Sequence, residues 1–394
     1  MLKKREDVTP LYINASVLVG DKLYFTACNS KWLYEFHIED GTVLPVIELP
    51  CRTVDILKFS DLVSYEGKIW MIPWLESDIM IYDMEQNTVE WLQLSFPFDR
   101  HSAYAAFRKS VQQDNILWLI SYFDKLVLRI DMEKISCKIY KKWAQDVTFD
   151  AEVASVDFKC MYGEGDTIYV FADGCRSNLI IHTETCEIET QISEGHHPYG
   201  VMADGRVYLS PIKNFDHLLY FSMPQKDKEE TEIHKIKLPD SIWADKSECA
   251  YWHGKVIDGE IYFLPHSAKA ILIVDIASDK VKAVPLDIKE YQTVMDYKEF
   301  AAYDAIPYKE GVIITAFAGN KILLERDGRI VKEYTITKPE VQESGKEQVI
   351  IDYILEKGMT RWSQMECDLE DKDAEIEAGR IGQSIYRTLT ERKI

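Results

Sequence analysis

Gly259-Glu260-Ile261-Tyr262-Phe263-Leu264-Pro265, followed shortly by Ile271-Leu272-Ile273-Val274-Asp275, decides how this chain folds. A glycine turn opens onto an apolar, aromatic run; after a short gap a second apolar run ends on an aspartate. Short β-branched and aromatic runs bounded by turn residues read as strands rather than helices. The phrase recurs along the chain. Its other copies open with Gly20-Asp21-Lys22-Leu23-Tyr24-Phe25, Gly67-Lys68-Ile69-Trp70-Met71-Ile72-Pro73, Asn115-Ile116-Leu117-Trp118-Leu119, Gly165-Asp166-Thr167-Ile168-Tyr169-Val170, Gly205-Arg206-Val207-Tyr208-Leu209 and Gly311-Val312-Ile313-Ile314. The second runs begin at Trp32, Ile79, Leu126, Leu179, Leu218, Ile271 and Ile322, in each copy 11 to 14 residues after the turn residue.

The copies start at 20, 67, 115, 165, 205, 259 and 311, a mean spacing of about 48 residues. A further turn and run follow, as at Gly41-Thr42-Val43, and a short apolar or small-residue segment precedes each turn, such as Ser102–Phe107 or Phe300–Tyr303. Four strands at this period make one blade of a β-propeller. The expected fold is therefore all-β: a seven-bladed propeller of four-stranded blades over residues 1–338, with a helical, partly acidic C-terminal tail over 339–394.

Blades bury both faces against their neighbours, so their middle strands read as nearly continuous apolar runs. The Tyr or Trp after the turn, present in six of seven copies, is expected to pack between blades. Asp83, Asp131 and Asp275 end strands just before turns, where a carboxylate is expected to accept from turn backbone rather than catalyse. At the level of architecture, over about residues 10 to 338, the chain resembles seven-bladed propellers of the kelch-like or NHL-like kind. It lacks the kelch double glycine, the tryptophan–aspartate signature and the sialidase S-x-D-x-G-x-T-W box. The resemblance implies a fold and a binding face, and no particular activity.

Composition narrows the function. With 66 acidic against 46 basic side chains the net charge is −20, which disfavours nucleic acid and anionic membranes as partners. No apolar run is long enough for a membrane helix. The opening Met1-Leu2-Lys3-Lys4-Arg5 meets acids rather than an apolar segment, and the eight cysteines are scattered without a C-x-x-C pair. The expectation is a cytoplasmic protein with reduced thiols. No Gly-rich phosphate loop and no G-x-S-x-G elbow is present.

The tail reads differently. Ser344-Gly345-Lys346-Glu347 is a capping-box pattern before Val349, Ile350, Tyr353 and Ile354 at helical spacing, with Gly358 as the helix stop. Residues 366–377 carry seven acids and one Lys, and Ile376, Ile381, Ile385 and Leu389 outline a last amphipathic helix over about 373–391. Such a helix docks on the propeller rim or serves a partner.

In a propeller, the loops entering each innermost strand and those joining second and third strands converge on one mouth of the central channel. Taking the segment before each turn as innermost, the first loop set supplies Arg52, Arg100, His101, Asp150, Glu152, His196, His197, Tyr199, Glu248, Tyr251, Trp252, His253, Tyr303 and Asp304. The second supplies Asn29, Trp74, Tyr122, Asp173, Arg176, Lys213, His266 and Asn320. Two chemistries fit. Trp74, Arg100, Tyr122, Arg176, Tyr199, Trp252 and His266 form an aromatic and arginine surface, the residue types that anchor partners. This favours a non-catalytic scaffold without cofactor that holds a protein, peptide or glycan, such as an accessory subunit of a bacterial-type enzyme complex. The alternative is a propeller lyase or hydrolase with a divalent metal such as Zn or Mn. Its metal ligands would come from His101, His196, His197 and His266, and its catalytic groups from His101, His197 and Glu248. No local H-x-x-x-H spacing supports that set, and adjacent His196 and His197 would point to opposite faces of a strand.

Overall fold

A computed structural model describes residues 10–51, 58–74, 76, 78–94, 107–121, 126–140, 157–173, 177–192, 199–211, 216–222, 233–239, 250–266, 268–286, 302–316 and 320–339. They form seven antiparallel sheets of four strands, each a meander in chain order. The first blade holds β1 (Ile13–Val19), β2 (Lys22–Ala27), β3 (Trp32–His37) and β4 (Val43–Glu48). The second holds β5 (Phe59–Tyr65), β6 (Lys68–Pro73), β7 (Ile79–Asp83) and β8 (Thr88–Leu92). The third holds β9 (Phe107–Gln113), β10 (Ile116–Ser121), β11 (Val127–Asp131) and β12 (Ser136–Tyr140). The fourth holds β13 (Asp157–Glu164), β14 (Thr167–Asp173), β15 (Ser177–His182) and β16 (Glu187–Ile192). In the fifth are β17 (Gly200–Ala203), β18 (Arg206–Leu209), β19 (His217–Ser222) and β20 (Ile233–Lys237). In the sixth are β21 (Tyr251–Ile257), β22 (Glu260–Pro265), β23 (Ala270–Asp275) and β24 (Lys280–Pro285). The seventh holds β25 (Ala302–Tyr308), β26 (Gly311–Ala316), β27 (Lys321–Arg326) and β28 (Arg329–Thr335).

Strands β1, β5, β9, β13, β17, β21 and β25 contact one another in that order, and β25 returns to β1, so the first strand of every blade lines a closed ring. The turns that make the blades are short and geometrically demanding. Asp258 (φ 48°) and Gly259 (φ 80°) both take left-handed backbone, the two-residue hairpin form in which Asp-Gly is at ease. The strand-ending aspartates cap the next turn. Asp83 Oδ1 accepts from the backbone of Glu85 and Gln86, Asp131 Oδ1 from Lys134, and Asp275 Oδ1 from Ser278. Their role is structural, as expected.

A separate apolar cluster fills each of the seven seams between blades. The repeated aromatic after the turn sits in these seams: Tyr24, Trp70, Trp118, Tyr169, Tyr208 and Tyr262 are all buried. Each such side chain contributes roughly 1.5–3 kcal/mol by leaving water. The first and last blades are each complete, so no strand is exchanged to seal the ring. Closure comes from an antiparallel bridge between Pro10 and Thr337, from Leu11 N–H donating to Ile336 O at 3.1 Å, and from the seam below them.

In the third blade the innermost strand is Phe107–Gln113, directly against the turn, and residues 102–106 of the expected Ser102–Phe107 segment lie outside the described residues. The polar side chains Ser110, Gln112 and Gln113 suit that place because they stitch blades together. Ser110 donates to Asp61, Gln112 to Ser64 O, and Gln113 to Gly165 O. The expected tail helices lie outside the described residues.

Candidate functional site

The site is built by bulges. In five innermost strands the register with the second strand slips by one residue, leaving Asn14, Ser60, Lys159, Trp252 and Tyr303 without a partner across the ladder. In the third blade Arg108 and Lys109 together oppose Ile120. Strand β17 keeps regular register. A bulge bends its strand and re-aims a side chain. Those of Asn14, Ser60 and Tyr303 bind another blade. Asn14 Nδ2 donates to Phe59 O at 2.9 Å and Ser60 Oγ donates to Phe107 O, both carbonyls at the start of the neighbouring innermost strand. Tyr303 goes further: its hydroxyl, in the seventh blade, donates to Ser60 O in the second, reaching past the first. On the far side Tyr162 of the fourth blade donates to Gly254 O of the sixth, past the short β17, at 2.9 Å.

Charges from four blades meet beside Tyr303. Lys109 Nζ lies 3.5 Å from Asp61 Oδ1 and 4.4 Å from the centre of the Tyr303 ring, over its face. Asp61 Oδ2 accepts from Ser110 N at 3.1 Å and Ser110 Oγ at 2.8 Å. Asp304, one residue past the Tyr303 bulge, accepts from Lys255 Nζ at 3.0 Å and from Ala305 N at 2.9 Å. Burial alone would lower the Lys109 pKa, but Asp61, then Asp304 and Tyr303, outweigh it and hold the amine above its ordinary value.

Of the residues expected at the mouth, Tyr303 and Asp304 lie beside Lys109 and Lys255. Trp74 and His266 occupy equivalent places, each the first residue past its second strand, with their N–H groups donating to Lys58 O and Ala250 O. Trp74 is buried and His266 half-buried. Tyr199 is half-buried against the seam between fourth and fifth blades. Tyr251 is a core residue, its hydroxyl donating to Ala270 O, and Asn29 is tied to Pro10 O. Arg100, His101, Tyr122, Arg176, His196, His197 and Glu248 lie outside the described residues, as do the side chains of Trp252 and His253. No metal-ligating group of three His, Cys, Asp or Glu occurs among the described residues. Lys109, Asp61 and Lys255 were not foreseen. The available signal was an aspartate four residues before the last residue of the innermost strand, shared by Asp61 and Asp304.

No protein-family model and no curated protein matches the sequence. Solved structures do match in shape. A catalytically inactive virginiamycin B lyase from Staphylococcus aureus, crystallised with quinupristin, gives a TM-score of 0.55 at 14% identity, over 79% of this chain and 93% of that one. A streptogramin B lyase gives 0.56 at 14% identity, over 82% and 95%. The Cps50 (Swd1) β-propeller domain of Myceliophteria thermophila gives 0.50 at 10% identity, over 79% and 96%. Two lyases and the Cps50 (Swd1) propeller domain are matched alike, and at such identity the likeness is one of fold. By its sheets and by these relatives in shape, the chain is a seven-bladed β-propeller.

Proposed function

We propose that the protein is a non-catalytic, cytoplasmic binding propeller that takes a protein, peptide or glycan partner on its channel-mouth face, as an accessory subunit of an enzyme complex would. The observation that carries this reading is the bracing of the innermost strands, where the charged side chains beside Tyr303 are held in ion pairs, Lys109 with Asp61 and Lys255 with Asp304. A ring of side chains braced from blade to blade is a rigid platform, which keeps the entropic cost of binding low. On this reading Arg100, Tyr122, Arg176, Tyr199 and Trp252 supply the rim contacts, with Trp74 and His266 behind them.

A metal-dependent propeller lyase or hydrolase is the second reading, favoured by the two lyases among the similar structures. His101, His196, His197 and His266 with Glu248 would supply its ligands and its acid/base groups. Metal content separates the two. Protein purified without added metal is analysed by mass spectrometry before and after dialysis against chelator. Stoichiometric Zn, Mn or Fe would move the assignment to the lyase. If the binding reading holds, affinity capture returns one partner at fixed stoichiometry, and Arg100→Ala or Trp252→Ala weakens it at least about tenfold. Capture unchanged in both variants would refute the mouth as the binding face.

A further inference from the structure

An aspartate followed by glycine is open to attack on its own side chain, because glycine gives the following amide no steric cover. The chain carries five such pairs, beginning at Asp40, Asp173, Asp204, Asp258 and Asp327. Gly174 lies outside the described residues. In the others the glycine has left-handed backbone, with φ 80° at Gly41, 66° at Gly205, 80° at Gly259 and 78° at Gly328. What differs is the hold on the glycine amide. Gly41 N–H donates to His37 O at 2.8 Å, and the Asp40 carboxylate is itself engaged by Thr42 N–H at 2.8 Å. Gly205 N–H is shared by both oxygens of Glu164, on the neighbouring blade, at 3.1 and 3.2 Å. Gly328 N–H donates to Glu325 Oε1 at 2.6 Å. Among the described residues Gly259 N–H has no acceptor. Where the fourth blade ends its innermost strand on Glu164 and so reaches Gly205, the fifth ends on Ala203 and offers Gly259 no carboxylate. Asp258 and Gly259 are both exposed, and a Cβ on Gly259 would meet nothing within 4 Å.

We propose that Asp258-Gly259 is a modification site, the place at which the folded protein converts aspartate to isoaspartate. The Gly259 nitrogen bonds to Cγ of Asp258, the carboxyl OH and the amide proton leave as water, and a cyclic imide closes. Water then adds at the α-carbonyl carbon of residue 258 and breaks its bond to the Gly259 nitrogen, so the chain runs on through the former side chain. One carboxyl group is consumed and one released, with no oxidant or reductant. Ring closure turns the glycine amide towards the aspartate side chain. At Gly41, Gly205 and Gly328 that rotation first breaks a hydrogen bond, which slows it roughly fivefold. At Gly259 only the turn itself has to give. The product adds a methylene to a two-residue turn, and the pairing of Ile257 with Glu260 that closes the hairpin no longer fits.

The test is storage of the full chain, folded, at neutral pH over weeks, followed by proteolysis, separation of aspartate from isoaspartate peptides and their assignment by electron-transfer fragmentation. Isoaspartate at Asp258 should exceed that at Asp40, Asp204 and Asp327 roughly fivefold. In chain unfolded by denaturant these aspartates should convert alike. Glu164→Ala, which frees the Gly205 amide, should bring Asp204 up to the rate of Asp258 while circular dichroism and Asp258 stay unchanged. Conversion at Asp258 no faster than at Asp204 in the folded wild type overturns the proposal. So does a lead of Asp258 that persists in denaturant, since the flanking residues rather than the unheld amide would then set it. An Asp204 rate unchanged in Glu164→Ala overturns it as well.

Discussion

Single residues report on the fold because each seam depends on a few of them. Glu35 accepts from Tyr24 Oη at 2.8 Å, from Lys22 Nζ at 2.8 Å and from His37 Nε2 at 2.5 Å. Burial would raise its pKa, but these three donors, led by Lys22, bring it below the ordinary value. A depressed carboxylate contributes stability above its unfolded pKa of about 4.3 and loses it as pH falls through the folded value. Glu35→Gln should cost about 1 kcal/mol at pH 7, with a gap in Tm from wild type that closes below about pH 4. A gap independent of pH would mean that charge is not what Glu35 supplies. Gly41 and Gly20 make a paired test. Both have left-handed backbone, φ 80° and 62°. A Cβ at Gly20 would meet open space, whereas one at Gly41 would lie 2.8 Å from Tyr334 Cδ1. Tyr334 cannot step aside, since its hydroxyl donates to Ile38 O across the ring closure. Gly20→Ala should cost about 1 kcal/mol and Gly41→Ala about 2–3 kcal/mol in denaturant unfolding.

Strands and turns are where sequence and structure agree most closely, for a physical reason. The second and third strands of the second and sixth blades are buried on both faces, so Ile69–Ile72 or Ile271–Val274 cannot avoid being apolar, and Asp258-Gly259 forms the turn its residues favour. Seven copies of that pattern made blade number and period legible. The innermost strands were harder to read, because their edge faces the channel and their side chains stitch blades through polar contacts. Strand β9, with Lys109, Ser110, Gln112 and Gln113, carries too little apolar pattern to be recognised. The bulges that bring Lys109, Asp61 and Asp304 together depend on one-residue slips in register, which no local periodicity encodes. Ring closure was equally hidden, since it rests on one bridge and the contacts around it. Leu11, fully buried where the N-terminal segment meets Ile336, should therefore matter beyond its size. Leu11→Ala should cost about 2–4 kcal/mol while far-ultraviolet circular dichroism stays that of the intact blades. A much smaller loss would show that the seam between β1 and β25 closes the ring unaided.

At the scale of the whole molecule, a propeller is a circular repeat protein, and its resistance to opening is set by its weakest seam. The described seams are unequal. Those joining the fifth blade to the sixth and the seventh to the first each bury fifteen apolar residues, whereas the seam between the fourth and fifth buries seven. The fifth blade also has the shortest inner strands, four residues each in β17 and β18, and so the shortest ladder. Two features compensate. Gly200 brings β17 so close to the fourth blade that a Cβ there would lie 2.7 Å from the Phe171 ring, and Tyr162 straps the fourth blade to the sixth. Close approach preserves dispersion contacts but cannot replace missing apolar area, and one hydrogen bond is worth only about 1 kcal/mol net. The seam between the fourth and fifth blades should therefore open first, at the short ladder of β17 and β18. In native-state hydrogen exchange, amides of β17 and β18 should exchange at a lower opening free energy than those of β2 or β22. Tyr162→Phe, which removes the strap and little else, should lower that free energy for β17 by about 1 kcal/mol and leave β2 unchanged. Equal exchange across all seven blades, or a Tyr162→Phe effect spread evenly around the ring, would mean that the propeller opens as one cooperative unit and that seam size does not rank its blades.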